Sequence, residues 1–247
     1  MKFISGICSA RSIFLLLLPL VLVAFIGCGD DDPVAVKKAS PNRVLELDGV
    51  DGFMSVDIEI HNFATFTLEA MVKVPTYDEN LHYISLQYGA YLILGDYGPQ
   101  KISTWAGGLD PVDAEDGTTQ PAVTTDEWHH FAFSYDGVNQ YILIDGVVTG
   151  IVPTTGTVIN DTLAYNTALN IGARYNGTQQ YVTGQMDEVR LWNIFRTETQ
   201  IRDNMNKAIS SQVGLVGYWN FDDNTTADKS GFGADGTLEG GAAIVDK

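Results

Sequence analysis

Carboxylates set in glycine turns are the first chemistry this chain offers. Asp48-Gly49-Val50-Asp51-Gly52 holds two of them, and Asp187 sits in the run Gly-Gln-Met-Asp-Glu-Val-Arg-Leu-Trp over 184–192. Oxygen ligands of this kind suit Ca²⁺, which takes roughly six to eight of them at about 2.3–2.6 Å. Asp48, Asp51 and Asp187 are therefore the candidate metal ligands. Strand alternation puts Asp187 on the face of Val189 and Leu191, so its carboxylate is predicted to point inward, where an unpartnered charge is costly. A cation, backbone N–H groups or an arginine would each satisfy it. Asp113, Glu115 and Asp116 form a second acidic group, read as a solvated loop.

Other reactive residue types offer less. His129 and His130 are adjacent, so on a strand they point to opposite faces. No third His or Cys stands at ligand spacing, and zinc is not expected. There is no Gly-x-Ser-x-Gly elbow, and both cysteines, Cys8 and Cys28, precede residue 30. Nucleophilic catalysis has no candidate. Aromatic rings are more informative. Tyr88, Tyr97, Trp105 and Tyr175 stand in Gly- and Asn-rich surroundings. A sugar's C–H face can stack on such rings while Asn or Asp side chains hold its hydroxyls. These four are the candidate ligand-binding residues.

Composition narrows the partners. The 247 residues are 45% apolar, enough for one large core, and 31 acids against 14 bases give a net charge of −17. Nucleic acid is excluded, because phosphate binding needs basic patches. Beyond Ca²⁺ no cofactor is called for.

The N-terminus carries an address. Lys2 and Arg11 are its only charges, and the apolar run Ile13–Ile26, broken by Pro19, is short for a membrane span. Phe25-Ile26-Gly27-Cys28 resembles a bacterial lipobox, with Phe25 where leucine is usual. The resemblance implies a lipoprotein signal peptide over 1–27, cleavage before Cys28, and acylation of that cysteine as a membrane anchor. Removing 1–27 takes both bases and no acid, which changes −17 to −19. Gly29-Asp30-Asp31-Asp32-Pro33 resembles a surface-export tag and reads equally well as a solvated tether. Residues 28–42 are the predicted flexible linker, and the predicted location is the bacterial outer membrane or cell surface.

The elements that must position the candidate residues are strands. Trp128–Tyr135 and Gln140–Ile144 flank the hairpin turn Asp136-Gly137-Val138-Asn139, and Asp145-Gly146 ends the unit. His129, Phe131, Phe133 and Tyr135 share one face; Trp128, His130, Ala132 and Ser134 share the other. Thr65–Val74 sets Phe66, Leu68, Ala70 and Val72 against Thr67, Glu69, Met71 and Lys73. Further strands are predicted at Val44–Leu47, Phe53–Val56, Tyr83–Gln87, Tyr91–Leu94, Ile102–Trp105, Leu169–Ala173, Gly184–Trp192, Leu215–Phe221 and Ala242–Val245. Residues 106–127 read as one long polar loop. Thr197–Ile209 is the one predicted helix, with a Thr197/Gln200 capping box and a stripe of Ile201, Met205 and Ile209. The sum is an all-β sandwich with one short helix over 43–247.

The order Leu47-Asp48-Gly49, Phe66-Thr67-Leu68-Glu69-Ala70, Trp128-His129-His130, Ile144-Asp145-Gly146, Leu169-Asn170-Ile171-Gly172, Gly184–Trp192 and Gly217-Tyr218-Trp219 resembles the laminin-G-like, concanavalin A-like jelly roll of bacterial surface proteins, with pentraxins as distant relatives. That resemblance implies a Ca²⁺ at the sandwich rim, near Asp48, Asp51 and Asp187. Glu46-Leu47-Asp48-Gly49-Val50-Asp51 resembles the Glu-x-Asp-x-x-Glu dyad of some jelly-roll glycosidases, but it ends in Asp, and Gly49 breaks the strand. The expected function is a lipid-anchored, noncatalytic envelope module that binds glycan, with calcium assistance. The alternatives are an adhesive jelly roll contacting a surface protein and, behind it, a glycoside hydrolase or lyase.

Overall fold

Alternation decides which side of each strand enters the core. In β3 (Phe66–Lys73) and β9 (His129–Tyr135), Phe66, Leu68, Ala70, Val72, Phe131, Phe133 and Tyr135 all join one buried cluster. The structure, a computed structural model, describes residues 42–58, 63–77, 81–86, 92–96, 102–111, 113–115, 123–158, 168–174 and 177–247. The leader 1–27, Cys28, the tether to residue 41, and Tyr88, Tyr97 and Tyr175 lie outside the described residues.

Two antiparallel sheets pack face to face. The large sheet runs β11 (Val147–Pro153), β10 (Asn139–Ile144), β9, β3, β14 (Thr183–Trp192), β1 (Arg43–Asp48) and β17 (Ala243–Asp246). Beyond the end of β1, β15 (Leu215–Trp219) pairs with the second half of β14. The smaller sheet runs β16 (Gly236–Glu239), β2 (Phe53–Val56), β13 (Leu169–Ile171), β4 (His82–Leu86), β5 (Leu92–Asp96), β6 (Ile102–Ala106) and β8 (Asp113–Glu115). This is the all-β sandwich expected from the patterning, and the antiparallel two-sheet jelly roll with one short helix that the resemblance implies.

Aromatic rings join the layers. Phe66 and Phe133 meet edge to face at 4.8 Å, and Tyr83 of the smaller sheet stacks on Phe131 of the large one at 5.6 Å. Tyr83 reaches that ring because the register shifts between His82 and Ile84, and such a bulge turns two consecutive side chains inward. Emptying one of these ring sites would cost about 3–5 kcal/mol.

Three local features differ from the sequence reading. Asp145 and Gly146 have φ of 50° and 73°, as a tight primed hairpin turn requires. They do not end the hairpin; they lead into a third strand, β11. Residues 106–127 are not one loop: β7 (Leu109–Asp110) pairs with β12 (Thr155–Gly156), and β8 pairs with β6. The helix α1 (Glu198–Asn204) has the expected capping box at Thr197 and Gln200 but ends at Asn204. Ile209 still packs toward Trp192 and Tyr218, without helical backbone. Residues 193–214 thus form a strap across the outer face of the large sheet.

Candidate functional site

The smaller sheet sets out a straight row of outward positions: Thr237, Ser55, Asn170, Ser85, Ile93, Trp105 and Asp113, each registered on the next. On β6 the alternation is unambiguous. Ile102, Thr104 and Ala106 are buried, while Trp105 is 45% exposed. Ser85, Asn170 and Ile93 are buried, and Ser85 donates to the carbonyl of Ala173 at 2.7 Å. The row reaches the surface at Thr237 on one side of this buried stretch and at Trp105 on the other. A half-exposed indole offers a flat apolar surface of the kind on which a sugar ring can stack. Of the four predicted ligand-binding residues, Trp105 is the one among the described residues. It stands on β6, within the strand predicted over Ile102–Trp105.

The next outward row is His82, Gly95, Ser103 and Glu115. Burial pushes the His82 imidazole down to about 3, and the Arg174 guanidinium adds to the shift. His82 is neutral at pH 7.

The three predicted metal ligands are not gathered in one place. Asp48 Oδ1 accepts the backbone N–H groups of Val50, Asp51 and Gly52 at 2.9, 3.2 and 2.9 Å. Those bonds hold its carboxyl below the usual aspartate range, those of Val50 and Gly52 most strongly. Asp51 Oδ1 accepts from the Gly241 N–H at 2.9 Å. Asp48 is registered on Thr183, four residues along β14 from Asp187, or about 13 Å away at ~3.3 Å per residue. Asp187 does not share a face with Val189 and Leu191. The register of β14 shifts between Asp187 and Arg190, and Glu188 has a φ of 50°. That bulge adds one residue and turns Asp187 to the outer face. There Lys247 Nζ sits 2.9 Å from Asp187 Oδ2 and 4.2 Å from the centre of the Trp128 ring. Burial raises the Asp187 carboxyl despite the lysine. Among the described residues, no group of three or more His, Cys, Asp and Glu side chains is arranged to hold a metal ion.

Residue patterning alone hardly announces the buried polar network beneath the strap. Glu69, on the face opposite the core, is 1% exposed. Its Oε1 accepts from Trp192 Nε1 at 2.7 Å and lies 3.6 Å from the Arg190 guanidinium; His130 Nε2 lies 3.2 Å from Oε2. Burial opposes ionisation of Glu69, but His130, Arg190 and Trp192 outweigh it and hold the carboxyl below its usual range. Arg190 also pairs with Glu188 and donates to the carbonyls of Asn204 and Lys207 at 3.2 and 2.7 Å. The first carbonyl belongs to the last residue of α1 and the second lies three residues beyond it, so Arg190 ties the strap to the sheet. The one available signal was the bulky polar set Glu69, His130 and Arg190 on neighbouring strands.

His129 takes part in a chain that resembles a nucleophile relay. Its Nδ1 lies 2.8 Å from Asp145 Oδ2, and Thr124 Oγ1 lies 2.9 Å from Nε2. The hydroxyl, however, is within hydrogen-bond reach of the Glu127 carboxylate, and Nε2 accepts the Thr124 N–H at 3.2 Å. The base is occupied by a backbone amide, which fits a pinned loop and not an activated nucleophile. Glu46 accepts from Gln185 Nε2 at 3.0 Å across β1 and β14, and Asp48 of the same motif is committed to its own turn.

Two packed antiparallel sheets with these turns at these places match a known family. Residues 48–202 fit the laminin G type 3 model, described as the concanavalin A-like lectin/glucanases superfamily. The chain belongs to that superfamily. No curated protein sequence matches it. Among solved structures, this concanavalin A-like chain is similar to a candidate carbohydrate-binding protein from Bacteroides ovatus, at 22% identity and a TM-score of 0.68, over 84% of this chain. It spans 60% of that protein's length. Domain 4 of AbnA, a GH43 extracellular arabinanase from Geobacillus stearothermophilus in complex with arabinotriose, shares 18% identity at a TM-score of 0.50, over 65% of this chain and 75% of that one. The heptameric SAP-like pentraxin of Limulus polyphemus shares 10% at 0.54, over 84% and 96%. These likenesses show the fold.

Proposed function

We propose that this domain is a noncatalytic glycan-binding module whose contact surface centres on Trp105. The observation that carries the reading is an indole held 45% exposed on the outer face of a sheet whose neighbouring row positions are buried. Two similar structures add support: one bears a carbohydrate-binding description, and the other is a domain bound to arabinotriose. The noncatalytic reading is supported by the engagement of the motif that resembles a glycosidase dyad: Glu46 accepts from Gln185 and Asp48 from its own turn. In this reading Asp48, Asp51 and Asp187 hold the fold through Val50, Gly241 and Lys247 rather than through calcium. Acylation at Cys28 would tether the domain to the outer membrane through residues 29–42, presenting it to glycans at the cell surface.

Affinity electrophoresis through gels containing neutral polysaccharides such as arabinan, xylan and β-glucan tests this reading. Retardation by at least one polysaccharide, with no release of reducing sugar, is the expected result. Silence across the panel would favour an adhesive role toward protein instead. Hydrolysis that disappears in Glu46→Gln would restore the glycosidase reading.

A further inference from the structure

An ammonium group already sits in a ready-made seat on the large sheet. Asp187 is 3% exposed and is turned to the outer face by the bulge in β14. Its Oδ2 lies 2.9 Å from Lys247 Nζ, and the same nitrogen stands 4.2 Å from the centre of the partly exposed Trp128 ring. A carboxylate and an indole face at these distances make a receptor for an organic cation. Its two halves are unequally supported. Asp187 belongs to β14, which pairs with β1, β3 and β15. Lys247 follows β17, a four-residue edge strand that pairs with β1 alone among the described residues. The seat is therefore fixed and its occupant detachable.

A cavity of about 260 Å³ lies beside the seat, lined by Met71, Asp187, Met205, Asp222 and Lys247. Glu188 borders it too, with its charge taken up by Arg190. Among the described residues Asp222 accepts only amide N–H groups, from Arg43 at 3.3 Å and from Asn220 Nδ2 at 3.4 Å. One lysine thus faces two carboxylates. Burial, and to a lesser degree the Asp222 charge, raise the Asp187 carboxyl against the pull of Lys247. The described acids are not grouped to hold a metal ion, whereas Met71 and Met205 offer adaptable apolar surface to the carbon body of an organic cation.

We infer that this corner is a binding site for small ligands bearing a primary ammonium group, with Lys247 as its built-in competitor. An incoming ammonium either joins Lys247 at Asp222 or replaces it at Asp187, and in both places it gains when the lysine's charge is removed. The site lies on the large sheet, whereas Trp105 stands on the smaller one, so the inference does not depend on the glycan-binding reading.

Compounds matched except for the ammonium group provide the test: glucosamine against N-acetylglucosamine, and cadaverine against 1,5-pentanediol. Calorimetric titration at low salt is expected to show at least one ammonium compound binding and its neutral partner not. Glucosamine binding supports the inference with an amino sugar as the source of the ammonium, and cadaverine binding supports it with an aliphatic amine. Lys247→Gln is expected to bind at least about threefold more tightly, because the competing charge is gone. Asp187→Asn and Asp222→Asn are expected to bind at least about tenfold more weakly; Asp222→Asn keeps the test decisive where Asp187→Asn destabilises the sheet. Asp203→Asn, at an exposed acid on α1, and Trp105→Ala should leave the affinity unchanged. Absence of binding by both ammonium compounds, to wild type and to Lys247→Gln, would overturn the inference. So would equal binding of a neutral partner or weaker binding by Lys247→Gln. An equal loss in Asp203→Asn would also overturn it, as the mark of general attraction to a chain of net charge −17.

Discussion

The outer faces of the two sheets are treated in opposite ways. The large sheet turns Glu69, His130, Glu188 and Arg190 outward and then seals them under the strap, with Arg190 holding the carbonyls of Asn204 and Lys207. The smaller sheet buries Ser85, Asn170 and Ile93 along its row but leaves Trp105 exposed. Charge on the first face is paired and inaccessible, so it serves stability. The Trp105 ring on the second face is 45% exposed, and that is where a ligand can gain contact area. Substitutions should therefore separate: beneath the strap they change folding, and at Trp105 they change binding.

The largest effect is expected on the sealed face. Arg190→Met leaves Glu69 and Glu188 without their shared cation, and breaking a buried pair from one side costs about 3–5 kcal/mol. Urea unfolding would measure it. A loss below about 1 kcal/mol would mean that the network is not the clamp described here.

His82 gives a smaller, pH-dependent effect on the open sheet. Its folded-state value lies at about 3, beneath the ordinary histidine value near 6.5. A base depressed in this way contributes its full stability above about pH 6.5 and loses it as the pH falls toward 3. The wild-type melting temperature is expected to fall more between pH 7 and pH 4 than that of His82→Gln. Parallel curves would show that this imidazole is not buried in the neutral form.

Calcium is expected to have the smallest effect. With Asp48 Oδ1 accepting three N–H groups and Asp187 paired with Lys247, melting in millimolar Ca²⁺ and in EDTA should agree within about 1 °C. A tightly held ion would shift stability by roughly 2.7 kcal/mol at a hundred times its Kd.

The strands that build both faces were legible in the sequence wherever alternation ran unbroken. Phe66 to Val72 and Phe131 to Tyr135 enter the core as period-two patterning requires. Legibility ended where one extra residue entered a strand. The bulge at Glu188 moved Asp187 from the core side to the outer face, and the one at Tyr83 put that ring into the core beside its neighbour Ile84. Neither bulge has a glycine to announce it. The helix was foretold at its start by Thr197 and Gln200, but not at its end, because the group that receives its last carbonyls is Arg190, from a distant strand. Trp105 was identifiable as a ligand candidate from its type and surroundings. Its exposure depended on which side of β6 faced out, and that is fixed by pairing with β5 and β8.

Calorimetric titration of wild type and Trp105→Ala with the best-retained neutral polysaccharide, alongside urea unfolding of both, tests the division of labour most directly. At least about a tenfold loss of affinity, roughly 1.4 kcal/mol, is expected, with folding stability unchanged within about 0.5 kcal/mol, as for a surface substitution. Unchanged affinity in a fully folded Trp105→Ala protein would contradict it.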